Sequence, residues 1–74
     1  MRRSRTDIVV DILKVANNGA KKTHIVYRTN LNFNIACEYL ETLREKELIR
    51  HENGLFVTTE KGKVFQAMAK EFKL

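Results

Sequence analysis

Proline is absent from this 74-residue chain, glycine occurs three times and cysteine once. Without proline, breaks between segments must be read from glycine and asparagine alone. A single cysteine, Cys37, excludes an intrachain disulfide. Secreted domains of this size usually carry several such bridges, so a reducing, cytoplasmic setting is expected. No apolar run approaches the ~18 residues that cross a bilayer, so no membrane partner is expected. The basic start Met1-Arg2-Arg3-Ser4-Arg5 leads into Asp7 and Asp11, which the apolar core of a signal peptide would not contain. Low-complexity stretches and Gly/Ser linkers are missing as well.

What is present fits one domain over residues 1–74, with residues 1–5 as a basic arm: the chain is 43% hydrophobic and 31% charged. A chain this short buries only roughly 60% of the surface its unfolded form exposes, so a partner or a second copy would help it. The net charge is +5. All of that excess lies in residues 1–30, where Arg2, Arg3, Arg5, Lys14, Lys21, Lys22 and Arg28 face only Asp7 and Asp11. Residues 31–74 balance seven of each sign. A surplus confined to one segment points to a polyanion, nucleic acid before an acidic membrane surface, although plain solubility accounts for charge alone.

Apolar residues recur three times at i, i+1, i+4, i+5, i+8, the stripe of a helix with one buried face. They are Ile8, Val9, Ile12, Leu13 and Ala16; Ile35, Ala36, Tyr39, Leu40 and Leu43; and Val64, Phe65, Met68, Ala69 and Phe72. A shorter helix is expected over Lys21 to Thr29, second in order, with Ile25 and Val26 inward. Asn32 suits the N-cap of the third helix, and Leu31 can staple onto Ala36. The second and third helices then meet through a turn of about three or four residues, the spacing of a helix-turn-helix. Leu48 to Thr58 reads as two short strands around Asn53-Gly54, a dipeptide suited to a type I′ turn. Thr59 suits the N-cap of the last helix and Glu60 its dipole. A strand ahead of the third helix is not evident beyond a residue or two near Lys21 and Lys22. The fold is mainly α with a small hairpin, ordered helix, helix, helix, hairpin, helix.

Gly19-Ala20-Lys21-Lys22-Thr23-His24-Ile25-Val26-Tyr27, Asn30-Leu31, Tyr39-Leu40, Leu43, Leu48-Ile49 and Thr59-Glu60-Lys61-Gly62 resemble the small archaeal winged-helix regulators and chromatin proteins. The likeness runs from about Thr6 to Phe72. It implies a winged helix-turn-helix that binds double-stranded DNA, often as a homodimer whose last helices pair. Glu47 departs from it, standing where relatives carry a glycine that ends the third helix, so this cap must be built differently.

Lys21, Lys22 and Thr23 start the second helix, where free N–H groups and the dipole already favour phosphate. Arg28, and Arg50, His51 and Asn53 on the wing, extend that track; Arg2, Arg3 and Arg5 form an arm able to reach a neighbouring groove. The third helix resists simple base readout, because its outward face, Asn34, Glu38, Glu41 and Glu45, is acidic. Entry by the N-terminal turn alone resolves this: Asn32, Asn34 and Cys37 meet bases, Glu38 accepts from cytosine, and the later glutamates stay outside and pair with Arg44. Phe33 either caps the core edge, the favoured role, or touches a thymine methyl.

The rival is a protein-interaction module that uses the acidic face of the third helix. RNA binding fits less well, because Tyr27, Phe33, Tyr39, Phe56, Phe65 and Phe72 fall mostly on apolar stripes instead of an exposed stacking sheet. Val10, Val15, Phe72 and Leu74 lie beyond what a minimal core needs and suggest a homodimer through the first and last helices. Cys37 has no partner for catalysis, and His24 and His51 lack ligand spacing. No enzyme, metal, cofactor or small-molecule ligand is expected. The reading is a regulator or chromatin-associated protein, cytoplasmic and close to the nucleoid.

Overall fold

Caps at most of the helix ends set the architecture of the computed structural model, which describes residues 4–71, with backbone alone for 70 and 71. Helix α1 (Arg5–Val15) opens on a reciprocal box, in which Ser4 Oγ accepts from the Asp7 N–H at 3.1 Å and Asp7 Oδ2 accepts from the Ser4 N–H at 3.2 Å. Arg5, expected in the basic arm, is therefore the first helical residue. Arg2 and Arg3 lie outside the described residues.

Helix α2 (Lys22–Thr29) ends at Asn30, whose φ of 58° closes the turn while Leu31 N–H reaches Val26 O at 3.3 Å. Buried Thr29 returns its hydroxyl to Ile25 O at 2.6 Å, so no polar group is stranded there. Helix α3 (Phe33–Glu45) follows immediately, capped as expected by Asn32, whose Oδ1 accepts from Asn34 N–H at 2.7 Å and Ile35 N–H at 3.4 Å. Residues 30–32 are thus the turn between the two helices.

The end of α3 answers the question posed by Glu47. Its φ is 63°, and the paired bonds Glu47 N–H to Arg44 O and Leu48 N–H to Leu43 O form a Schellman closure of the type that glycine usually makes. Thr59 Oγ1 then donates to Glu47 O at 2.6 Å and accepts from Gly62 N–H at 3.1 Å, so one hydroxyl ties the end of α3 to the start of α4 (Glu60–Glu71).

Strands β1 (Ile49–Glu52) and β2 (Leu55–Thr58) pair antiparallel from Ile49↔Thr58 to Glu52↔Leu55. Asn53 and Gly54 both take positive φ, 53° and 76°, as a type I′ turn demands. The expected trace of a third strand is one residue, Ala20, bonded both ways to Phe56 at 2.8 and 2.9 Å. Thr58 anchors the hairpin to α1: its N–H reaches Ala16 O at 3.0 Å and its hydroxyl reaches Leu13 O at 2.8 Å. Leu13 lies in the last turn of α1, whose carbonyls run out of helical donors, and Ala16 is its C-cap, whose carbonyl also accepts from Gly19 N–H at 3.0 Å.

The core joins Ile12, Leu13, Ala16, Ile25, Leu40, Leu43, Ile49 and Phe56, drawn from α1, α2, α3 and both strands. The α1 stripe is inward throughout, with Ile8 and Val9 packed on its edge. Val15, expected as surplus surface, also packs on the core. In α3, Ala36, Leu40 and Leu43 are buried and Tyr39 packs beside them, whereas Ile35 is 45% exposed. The α4 stripe divides. Phe65 packs on the core, but Val64 and Met68 are more than half exposed, because α4 packs chiefly on α1 and β2 and its second apolar edge is left uncovered. Phe72 and Leu74 lie outside the described residues. Among the described residues no helix is long and apolar enough to cross a membrane.

Candidate nucleic-acid interface

Lys21 is the N-cap of α2 and makes no side-chain cap bond. The first N–H groups of that helix are therefore left without a protein acceptor from this cap, next to two cationic side chains. Lys21 and Thr23 are exposed and Lys22 is half-buried. Arg28 occupies the last turn of α2, roughly 10 Å along the axis from Lys22 by helical rise, where its charge also suits the helix C-terminus. It marks the far end of a track and does not join the lysine pair.

The side chain of Lys22, the first residue of α2, reaches the first residue of α3. The contact that fixes this is Lys22 Nζ, 5.7 Å from the centroid of the Phe33 ring. The ring is 52% exposed and is not part of the core, which corrects the favoured expectation for Phe33. Its spacing of three residues before Ala36 points toward the core edge, but the ring lies next to the Lys22 side chain of α2 and outside the core cluster. Asn34 and Glu38 are exposed and Cys37 is half-buried, so Cys37 presents less to a ligand than its two neighbours. Asn32 is exposed, yet its carbonyl oxygen is committed to capping, which leaves only its amide N–H groups to donate.

On the outward face of α3, Glu38, Glu41 and Glu45 are all exposed. Arg44 pairs with Glu41 at 3.6 Å within the helix, the i,i+3 pairing expected from spacing. The acidity is thus weighted toward the C-terminal half, away from the basic start of α2.

The wing differs in detail from the expected phosphate track. Arg50 Nε meets Glu52 Oε1 at 3.3 Å on its own strand, so its charge is partly compensated. His51 stacks on its cross-strand partner Phe56 with ring centroids 4.3 Å apart and planes 13° apart. Asn53 is exposed at the tip. Among the described residues no group of three or more His, Cys, Asp or Glu side chains gathers as a metal site.

Sequence reasoning missed the exposure of Phe33, its contact with Lys22, and Tyr27, which is 82% exposed on α2. The available signal was that Phe33 directly follows the N-cap, one turn before the apolar stripe has neighbours on both sides.

The comparisons agree with this geometry. The winged helix-turn-helix family profile matches residues 2–74. A crystal structure of Sso10a-2, a DNA-binding protein from Sulfolobus solfataricus, superposes with a TM-score of 0.83 at 30% identity, covering 95% of this chain and 78% of that one. The transcriptional repressor CouR, solved with p-coumaroyl-CoA, superposes with a TM-score of 0.72 at 22% identity, covering 95% of this chain and 52% of its own, a likeness of fold alone. An uncharacterised protein of the archaeon Methanocaldococcus jannaschii is 35% identical over 65 residues, 86% of this chain but only 31% of that relative's length. Element order, hairpin register and a profile match over nearly every residue converge: the chain belongs to the winged helix-turn-helix family.

Proposed function

We propose that this chain binds double-stranded DNA, with α2 on the phosphate backbone and the first turn of α3 in the major groove. The observation that carries this reading is a pairing of two exposed features: the basic Lys21-Lys22 start of α2, which lacks a side-chain cap, and the first turn of α3, which Lys22 reaches through the Phe33 ring. Lys21, Lys22 and Thr23 bind phosphate, and Arg28 extends the track. Asn34 reads adenine and Glu38 accepts from cytosine N4. Cys37 lies at the margin of that contact and Asn32 serves chiefly as the cap. Asn53, with Arg50 and His51, rests along the neighbouring backbone, Arg2 and Arg3 add a basic arm, and Arg5 adds its charge from the first position of α1. The DNA-binding neighbour Sso10a-2 supports this reading. The role is that of a transcriptional regulator or chromatin-associated protein of the cytoplasm, near the nucleoid.

Salt titration tests it. Affinity for a duplex should fall linearly on logarithmic axes as salt rises, and replacing both Lys21 and Lys22 by alanine should reduce that slope by about two. Affinity independent of salt, or an unchanged slope in the double variant, sinks the proposal.

A homodimer through α1 and α4 belongs to the same reading. Val10, Phe65, Met68 and Ala69 line an apolar groove between the two helices, and the exposed edge of α4 continues it. A second use of the fold, as a protein-interaction module, is favoured by the exposed face Glu38, Glu41 and Glu45. It requires no duplex shift and a loss of partner binding on charge reversal at Glu41.

A further inference from the structure

We infer that Phe33 is a base-reading residue that takes the 5-methyl group of thymine, while its ring holds the Lys22 ammonium at the adjoining phosphate. The inference rests on the duplex-binding reading and adds to it a named specificity contact. Phe33 is the first residue of α3, the end of a recognition helix that reaches base edges. Half of its surface is open, and it lies outside the buried core. The start of α3 thus presents an apolar ring next to Lys22 and, in sequence, to Asn34. In the major groove, the group that rewards such surface is the thymine methyl.

The cation fixes the orientation. Lys22 Nζ lies 5.7 Å from the Phe33 centroid, so one region of the ring is engaged by the ammonium and the rest is free. A lysine held this way has less rotamer freedom to lose when it meets phosphate, and the same contact limits the motion of the ring. Phosphate anchoring by α2 and base contact by α3 are thereby coupled through one side-chain pair. The acidic half of α3 takes no part, which fits entry by the first turn.

The test compares an alternating adenine-thymine duplex of about two helical turns with the same duplex carrying uracil for thymine. Uracil keeps the pairing edge and loses only the methyl group. The wild-type chain should bind the thymine duplex about four-fold more tightly, the worth of one buried methyl-sized group. Phe33→Ala should bind both duplexes equally, and Phe33→Leu, which keeps an apolar side chain, should retain most of the preference. Equal binding of both duplexes by the wild-type chain overturns the inference, as does a preference that survives in Phe33→Ala. In either case salt-dependent binding to the thymine duplex leaves the duplex-binding reading standing. Absence of salt-dependent binding to both duplexes overturns the two together.

Discussion

At the scale of single residues, two backbone positions carry opposite costs. Glu47 sits at φ 63°, a region that costs a side-chain-bearing residue roughly 1–2 kcal/mol, and its functional contribution to the fold is its carbonyl, which accepts from Thr59. Glycine tolerates that φ but loses more chain entropy on folding, so Glu47→Gly should stabilise by about 0.5–1 kcal/mol. Thermal melting should then rise by about 3–6 °C, and a fall would show that the carboxylate does something beyond the backbone. Gly62 is the reverse case. A Cβ there would overlap the Leu48 carbonyl oxygen and lie 2.7 Å from Thr58 Cγ2. The carbonyl cannot retreat, because it accepts from Thr59 N–H at 3.1 Å. Gly62→Ala gains about 1 kcal/mol of helix propensity and should still lose about 2 kcal/mol net. Urea denaturation decides it: a higher midpoint would mean α4 does not approach the wing this closely.

At the scale of elements, Asn32 separates structure from recognition. It was legible from sequence both as a cap and as a base contact, and the two roles compete for one carbonyl oxygen that two backbone N–H groups already occupy. Asn32→Ser keeps a capping oxygen and removes the amide. Stability should stay within about 0.5 kcal/mol and duplex affinity within about two-fold, whereas Asn32→Ala should cost about 1 kcal/mol. A large affinity loss in the serine variant with unchanged melting would restore Asn32 as a base contact.

The same element shows what kind of information a sequence holds. Caps at Asn32 and Thr59, the Asn53-Gly54 turn and the stripes of α1 and α3 are set by interactions within a few residues, so spacing reveals them. The Ser4 box is equally local, but residues 1–5 read as a basic arm and the box is missed. Exposure of Phe33, Ile35, Val64 and Met68 is decided by whether another element lies above them, and no local pattern records that. The candidate site was legible in its charges and not in its central contact, Lys22 on Phe33, since that pair depends on how two helices meet across the turn. The wing was legible as a hairpin, but the pairing of Arg50 with Glu52 and the stacking of His51 on Phe56 depend on strand register.

At the scale of the whole molecule, the divided stripe of α4 is the open question of stability. Phe65 is drawn into the core while Val64 and Met68, one turn apart, face outward and continue the groove that Val10 and Ala69 line. A small domain that leaves part of a helix stripe uncovered gains from covering it with a second copy, and a two-fold axis would place the same edge on both sides. Met68→Lys introduces charge where more than half of the side chain is already exposed, so the isolated fold should tolerate it within about 0.5 kcal/mol. In the wild-type chain, the melting temperature should rise with protein concentration, because association draws on the folded state. In Met68→Lys that dependence should vanish and sedimentation equilibrium should give a single-chain mass. Duplex affinity should drop with it, since two linked copies engage one duplex with an effective concentration that a single copy lacks. A wild-type chain that sediments as one copy at high concentration removes the dimer, and it would leave the duplex-binding surface proposed for α2 and α3 unaffected, because neither helix contributes to that edge.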